Sequence, residues 1–321
     1  TGYSDVIRSV ENLSLPFDTP VISFQNRKKL YRQCSNYLGS LGIDRNEIRR
    51  AFRRAWEEQH LFASRIKRVD EEILQRSRAA GRLTLLVAGR PYHADPLIQH
   101  KISDMIASMG VDVITDDIVR GEDIYLENTH FVAQWSYPNR ILKAAIWTAR
   151  QDEQVQFVEM TSFGCGPDAA LTDEVRETLG RYGKSYTLLK IDDVSNTGSL
   201  KLRIRSVIES LKLEHTATSA VQPFVSTPHF EKKDRSRKIL VPFFTPFISP
   251  LIPVLMKRAG YDAENMPLSN ENSIEAGLQY ANNEICYPAT LIVGDIVTAL
   301  KSGRYDPNHT AVAITQTGGQ C

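Results

Sequence analysis

Short apolar runs alternate with amphipathic runs along most of this 321-residue chain, the pattern of a parallel α/β protein. Two further observations sharpen that expectation. Glycines stand where the helix-like runs stop, at Gly110, Gly183 and Gly260, and the alternation lapses over 214–237 before it restarts. The fold class expected is therefore α/β, with two doubly wound parallel sheets of flavodoxin or Rossmann-like form behind an N-terminal helical segment. The limits that follow are a helical segment at 1–79, an α/β domain at 80–213, a linker at 214–237 and a second α/β domain at 238–321 that reads as truncated.

Taken in order, residues 1–40 hold Pro16 and Pro20 in a loop-like stretch, then a mixed run around Cys34. Asp44 followed by Glu47 reads as a helix start, and Ile48, Phe52, Ala55, Gln59, Phe62, Ile66, Val69 and Ile73 then recur at alternating spacings of four and three. This predicts one long helix over 44–78. Its Arg49, Arg50, Arg53 and Arg54 suit either a solvated face or an acidic partner. Strands are predicted at 83–87, 111–115, 155–160 and 186–191, with helices at 96–109, 135–150, 169–182 and 198–213 between and after them. Beyond the linker, strands are expected at 239–241, near Tyr261 and at 311–315, with helices at 250–258 and 287–300.

Composition excludes several classes of function. The 39 basic and 38 acidic side chains leave a net charge of +1, which gives no electrostatic case for nucleic acid or a membrane surface. No apolar run approaches the length of a membrane span, and no signal peptide opens the chain, so a cytoplasmic protein is expected. The four cysteines, Cys34, Cys165, Cys286 and Cys321, include no C-x-x-C pair. With no initiating Met and an end soon after an apolar run, the chain reads as a piece of a longer polypeptide.

The turn Thr161-Ser162-Phe163-Gly164-Cys165-Gly166-Pro167-Asp168 joins a strand to a helix, where ligands of parallel sheets gather. A sulfur between two glycines there is sterically open, and a helix N-terminus behind it favours thiolate. Cys286 opens a predicted helix, and Cys321 follows a predicted strand. Their spacing matches no compact cluster motif, so metal ligands, structural thiols and a catalytic nucleophile all remain open. The loop Ala88 to Asp95 shares the sheet edge: Arg90 suits a phosphate or carboxylate and His93 a proton, unless Arg90 pairs with Asp95 and His93 is a satisfied loop residue. Asn139 and Arg140 are further polar candidates, or helix-start contacts. Gly183-Lys184-Ser185 mimics the end of a P-loop, but position 178 is Thr178 rather than Gly and the triplet runs from helix into strand.

The strings AGRPYHADP (88–96), SFGCGPD (162–168), YTLLKID (186–192), NNEICYPA (282–289) and QTGGQC (316–321) together resemble acyl-CoA dehydratase activase-related proteins. The non-ATPase part of those proteins is similar to 2-hydroxyacyl-CoA dehydratase subunits. The resemblance implies actin-like ATPase modules in the parent chain, dehydratase-like units holding a 4Fe-4S or larger iron–sulfur cluster, anaerobic chemistry, and a CoA-thioester ligand. It makes residues 80–213 the last α/β domain of one unit, with Cys165 as its cluster ligand, and 236–321 the opening of the next, with Cys286 and Cys321. The chain lacks the ATPase module and a full ligand set. Two functions follow: a redox component, or a scaffold whose clefts bind a ligand or dock the ATPase part without chemistry.

Overall fold

The computed structural model describes residues 3–10, 17–24, 26–130, 135–162, 166–191, 197–213 and 221–314. The chain divides into two compact units, 1–66 and 67–321.

The first unit holds α1 (Tyr3–Val10), α2 (Arg27–Ser40) and most of α3 (Arg45–Ala79), a helix of 35 residues that continues into the second unit. The expectation of one long helix is met, but its buried stripe is not the one the spacing implied. Phe62 and Val69 are exposed, whereas Asp70, Leu74 and Ser77 are buried. Alternating steps of four and three average 3.5 residues, and a straight helix of 3.6 residues per turn drifts about 20° per heptad away from such a stripe. Helix α2 is the mixed run around Cys34, to which the sequence assigns no element, and residues 17–24 before it carry no helix or strand. Asn26 caps it by accepting the Lys29 N–H, and its face is polar apart from the buried Leu30.

In the second unit follow β1 (Thr84–Gly89), α4 (Ile102–Ser108), β2 (Asp112–Thr115), α5 (Ser136–Ala149), β3 (Val155–Thr161), α6 (Pro167–Arg181), β4 (Tyr186–Lys190) and α7 (Thr197–Leu213). These strands form a parallel sheet in the order β2-β1-β3-β4. Alternation along β1 sends Leu86 and Ala88 to one face with Leu74, α5 and α6, and Leu85 and Val87 to the other with α4 and α7. Every residue of the inner strands β1 and β3 is buried, as a sheet covered on both sides requires. Helix α4 begins later than Pro96 suggested: Asp95 accepts the Leu97 and Ile98 N–H groups in a turn, and Lys101, at φ 55°, breaks the path before Ile102.

A second parallel sheet, ordered β6-β5-β7, is built from β5 (Lys238–Val241), α8 (Leu251–Arg258), β6 (Asp262–Asn265), α9 (Glu271–Tyr280), α10 (Tyr287–Lys301) and β7 (Thr310–Val312). Its core is small, with Leu240, Met266 and Ala299 buried together. Helix α9 was not foreseen. It meets α10 through Ser273 and Gly277 instead of large apolar side chains, and an added Cβ at Gly277 or Gly294 would collide with the other helix's backbone. The two parallel sheets define a Rossmann-like α/β protein. Among the described residues, no helix is long and apolar enough to cross a membrane.

Candidate functional site

In the first sheet, β1 is followed in sequence by its neighbour β2 on one side and later by β3 on the other, so the topological switch lies between β1 and β3. The loops after their carboxyl ends flank the crevice where such sheets bind ligands. Gly89 closes β1; a Cβ there would stand 2.6 Å from the His93 Nδ1, so only glycine lets the following 3-10 turn, Pro91–Ala94, fold against the strand end. His93 is thereby buried, at 1 % exposure. Its Nδ1 accepts the Arg90 backbone N–H at 3.1 Å, which places the hydrogen of the neutral ring on Nε2, 2.9 Å from the Ser162 Oγ. Burial pushes the His93 pKa down to about 4. At neutral pH the ring is a fixed donor to Ser162 and holds no exchangeable charge.

Arg90 pairs with Asp168, not with Asp95. Its Nε lies 2.7 Å from the Asp168 Oδ2, and its guanidinium sits over the Tyr137 ring at 5.1 Å from the centroid. Asp168 belongs to the first turn of α6, where the helix dipole favours a carboxylate. Its side chain is 5 % exposed against 24 % for Arg90, so the guanidinium edge facing solvent is the part available to a ligand anion. Burial, with the Asp168 carboxylate, raises the Tyr137 hydroxyl to about 12. Replacing Arg90 by Met leaves a buried carboxylate uncompensated. The expected loss is about 3 kcal/mol in chemical denaturation, and a loss under about 1 kcal/mol would show that the pair carries no stability.

Arg140 and Asn139 stand apart from this cluster, at the start of α5 beside the end of β2. Arg140 binds the buried Asp116 at 2.9 Å and approaches Asp117 at 3.8 Å, and Arg120 also pairs with Asp117. Arg140 and Asn139 line a cleft of about 430 Å³ with Arg120, Glu122, Ser136 and Lys143. Lys184, the P-loop mimic, donates to the Asp152 and Val155 carbonyls, between the end of α6 and β4.

The sequence reading passed over Glu159. It lies within the apolar run of β3, is 1 % exposed, and accepts a hydrogen bond from the Tyr186 hydroxyl at 3.0 Å. Burial raises its pKa to about 8. The signal was available: an acid inside a strand buried on both faces is rare unless partnered or protonated.

The second sheet brings the 282–286 loop to the first. Asn282 donates from Nδ2 to the Ala169 carbonyl at 3.1 Å and to the Asp173 carboxylate, both in the opening turns of α6, and Glu284 pairs with Lys190, the last residue of β4, at 2.9 Å. Cys286 follows as the N-cap of α10, free and exposed. An exposed thiol on a loop fits the donor chemistry of an iron–sulfur cluster. Cys165 and Cys321 lie outside the described residues; among those described, no three His, Cys, Asp or Glu side chains converge as a metal site. Cys34 is in α2, half-buried.

Residues 1–119, from α1 through β2, match the family profile described as CoA enzyme activase uncharacterised domain (DUF2229). That match covers little more than a third of the chain and supports its likeness to acyl-CoA dehydratase activase-related proteins. No curated protein and no solved structure matches it.

Proposed function

We propose that the chain is part of a dehydratase-like redox component, in which ATPase modules of the parent protein drive an electron towards a CoA thioester or another small molecule. The observation that carries this reading is the seating of the 282–286 loop on α6 and β4. Asn282 touches Ala169, four residues after Cys165, and Cys286 follows four residues after Asn282. The loop that leads to Cys286 thus reaches the opening of α6 and the end of β4. In this reading, residues 80–213 and 236–321 are parts of consecutive units, and Cys165, Cys286 and Cys321 are ligands in the parent protein.

A 4Fe-4S or larger cluster, when bound, supplies a low-potential one-electron site. The described side chains do the rest. Arg90, fixed by Asp168 and Tyr137, offers its guanidinium edge to a phosphate or carboxylate. His93 and Ser162 join the ends of β1 and β3 across the crevice, and Arg140 with Asn139 lines a separate cleft.

Anaerobic preparation of the parent protein with iron and sulfide analysis tests the proposal. Cys286→Ser is expected to lower bound iron while circular dichroism stays unchanged, because serine keeps the volume and removes the soft ligand. Iron content unaffected by this change, or absent throughout, would instead support a binding or scaffold module without a cluster.

A further inference from the structure

The basic face of the 1–66 unit has no part in the site above. Residues 26–56 carry nine Lys and Arg against two acids, Asp44 and Glu47, in a chain of net charge +1. Arg27, Lys28 and Lys29 occupy the first turn of α2, which holds no acid, although the dipole there is positive and repels cations. On α3, Arg49 stands one turn from both Arg45 and Arg53, and Arg50 one turn from Arg54, spacings at which like charges oppose the helix. Every ion pair among the described residues involves Lys67 or a later residue, so no carboxylate of this unit offsets these charges through a contact. Local choices that conflict with the fold in this way are expected at functional surfaces.

The same side chains surround a hollow of about 400 Å³, lined by Arg27, Lys28, Tyr31, Arg49, Phe52 and Arg53, with no acid in its wall. That volume lies in the range of small-molecule sites. Its aromatic members are ordered. Tyr31 meets Phe52 edge-on at 5.1 Å, Phe52 lies nearly parallel to Trp56, and Arg27 sits over the Trp56 ring at 5.2 Å. Arg49 lines the same wall as Tyr31 and holds its hydroxyl below the ordinary pKa.

We propose that this hollow binds a nucleoside 5′-polyphosphate, its base against Phe52 and Tyr31 and its phosphates among Arg27, Lys28, Arg49 and Arg53. Guanidinium forks match phosphate oxygens in pairs, and an aromatic face accepts any nucleobase by stacking. A bounded ligand fits better than a nucleic-acid strand. The neighbouring hollow along α3 is walled by Glu47 and Glu57 as well as Arg50 and Arg54, and those acids would face a phosphate backbone that ran on. The site needs no P-loop and includes no hydrolysis. It is independent of the redox reading.

Titration calorimetry of the intact chain at low ionic strength tests this with ATP, GTP, adenosine, inorganic tripolyphosphate and a single-stranded oligodeoxynucleotide. ATP and GTP are expected to bind, tripolyphosphate more weakly, and adenosine not measurably. Arg49→Gln combined with Arg53→Gln should weaken ATP by at least about tenfold. Both residues are exposed, so circular dichroism should not change. Phe52→Leu should weaken ATP and leave tripolyphosphate unaltered. Absence of nucleotide binding, an unchanged affinity in the double variant, equal binding of ATP and tripolyphosphate, or oligonucleotide binding that ATP does not displace would each overturn the proposal.

Discussion

Gly294→Ala should cost the second sheet most of its helical cover. A Cβ at Gly294 would stand 1.7 Å from the Ser273 carbonyl oxygen, and one at Gly277 would stand 2.2 Å from the Thr290 carbonyl oxygen. Both obstacles are backbone, so no change of rotamer relieves them and α9 must move off α10. Overpacking typically costs about 1–3 kcal/mol, and a contact against a helix backbone belongs at the top of that range or beyond. The core beneath, Leu240, Met266 and Ala299, offers little reserve. The sign makes the result diagnostic. Gly39, within α2, has no atom within 4 Å of its added Cβ, and Gly39→Ala should stabilise by about 0.5–1 kcal/mol through helix propensity alone. Thermal unfolding of the two variants should therefore move in opposite directions, and a Gly294→Ala protein as stable as the parent would refute the close helix contact.

Glu159 is expected to make the protein less stable as pH rises. Its carboxyl has an ordinary value of 4.5 and is raised by burial to about 8, so the native state retains a proton that the unfolded chain releases between those values. The penalty is absent below about pH 4.5, grows through the window and is complete above about pH 8. It reaches roughly 5 kcal/mol once complete, of which roughly 1.5 accrues between pH 6.5 and 8. Other groups act lower. Asp70 and Asp116, also raised by burial, to about 6, add to the slope only up to that point, and His93, lowered to about 4, works in the opposite direction and only below its ordinary 6.5. Denaturant unfolding at pH 6.5 and 8 should thus show a loss in the parent that Glu159→Gln removes. Equal slopes for the two proteins would mean that Glu159 is ionised in the fold.

The strands of the first sheet were legible because burial on both faces forces continuous apolar runs, and that requirement leaves a mark in sequence. Helices that pack by other means left none. In α2 a single Leu30 is buried beneath a basic, polar surface, and α9 buries Ser273 and Gly277, residues that read as loop. The start of α4 was misplaced because Pro96 suits a first helical turn, while the Asp95 turn and the left-handed Lys101 that delay the helix depend on geometry. At the site, Arg90 and His93 could be placed from the strand that precedes them. Asp168, 78 residues away from Arg90, could not be paired with it by local pattern, and Ser162 gained its partner only through the parallel register of β1 and β3.

The chain of contacts from the Arg90 amide through His93 to Ser162 spans the switch point from the loop after β1 to the loop after β3. A neutral imidazole in one tautomer is a strut of fixed length, and it needs no charge that salt would screen. The ends of β1 and β3 are consequently tied at His93 and Ser162 before any ligand arrives. A molecule entering there meets His93 and Ser162 already held to each other, so the ordering of these two side chains does not oppose its capture.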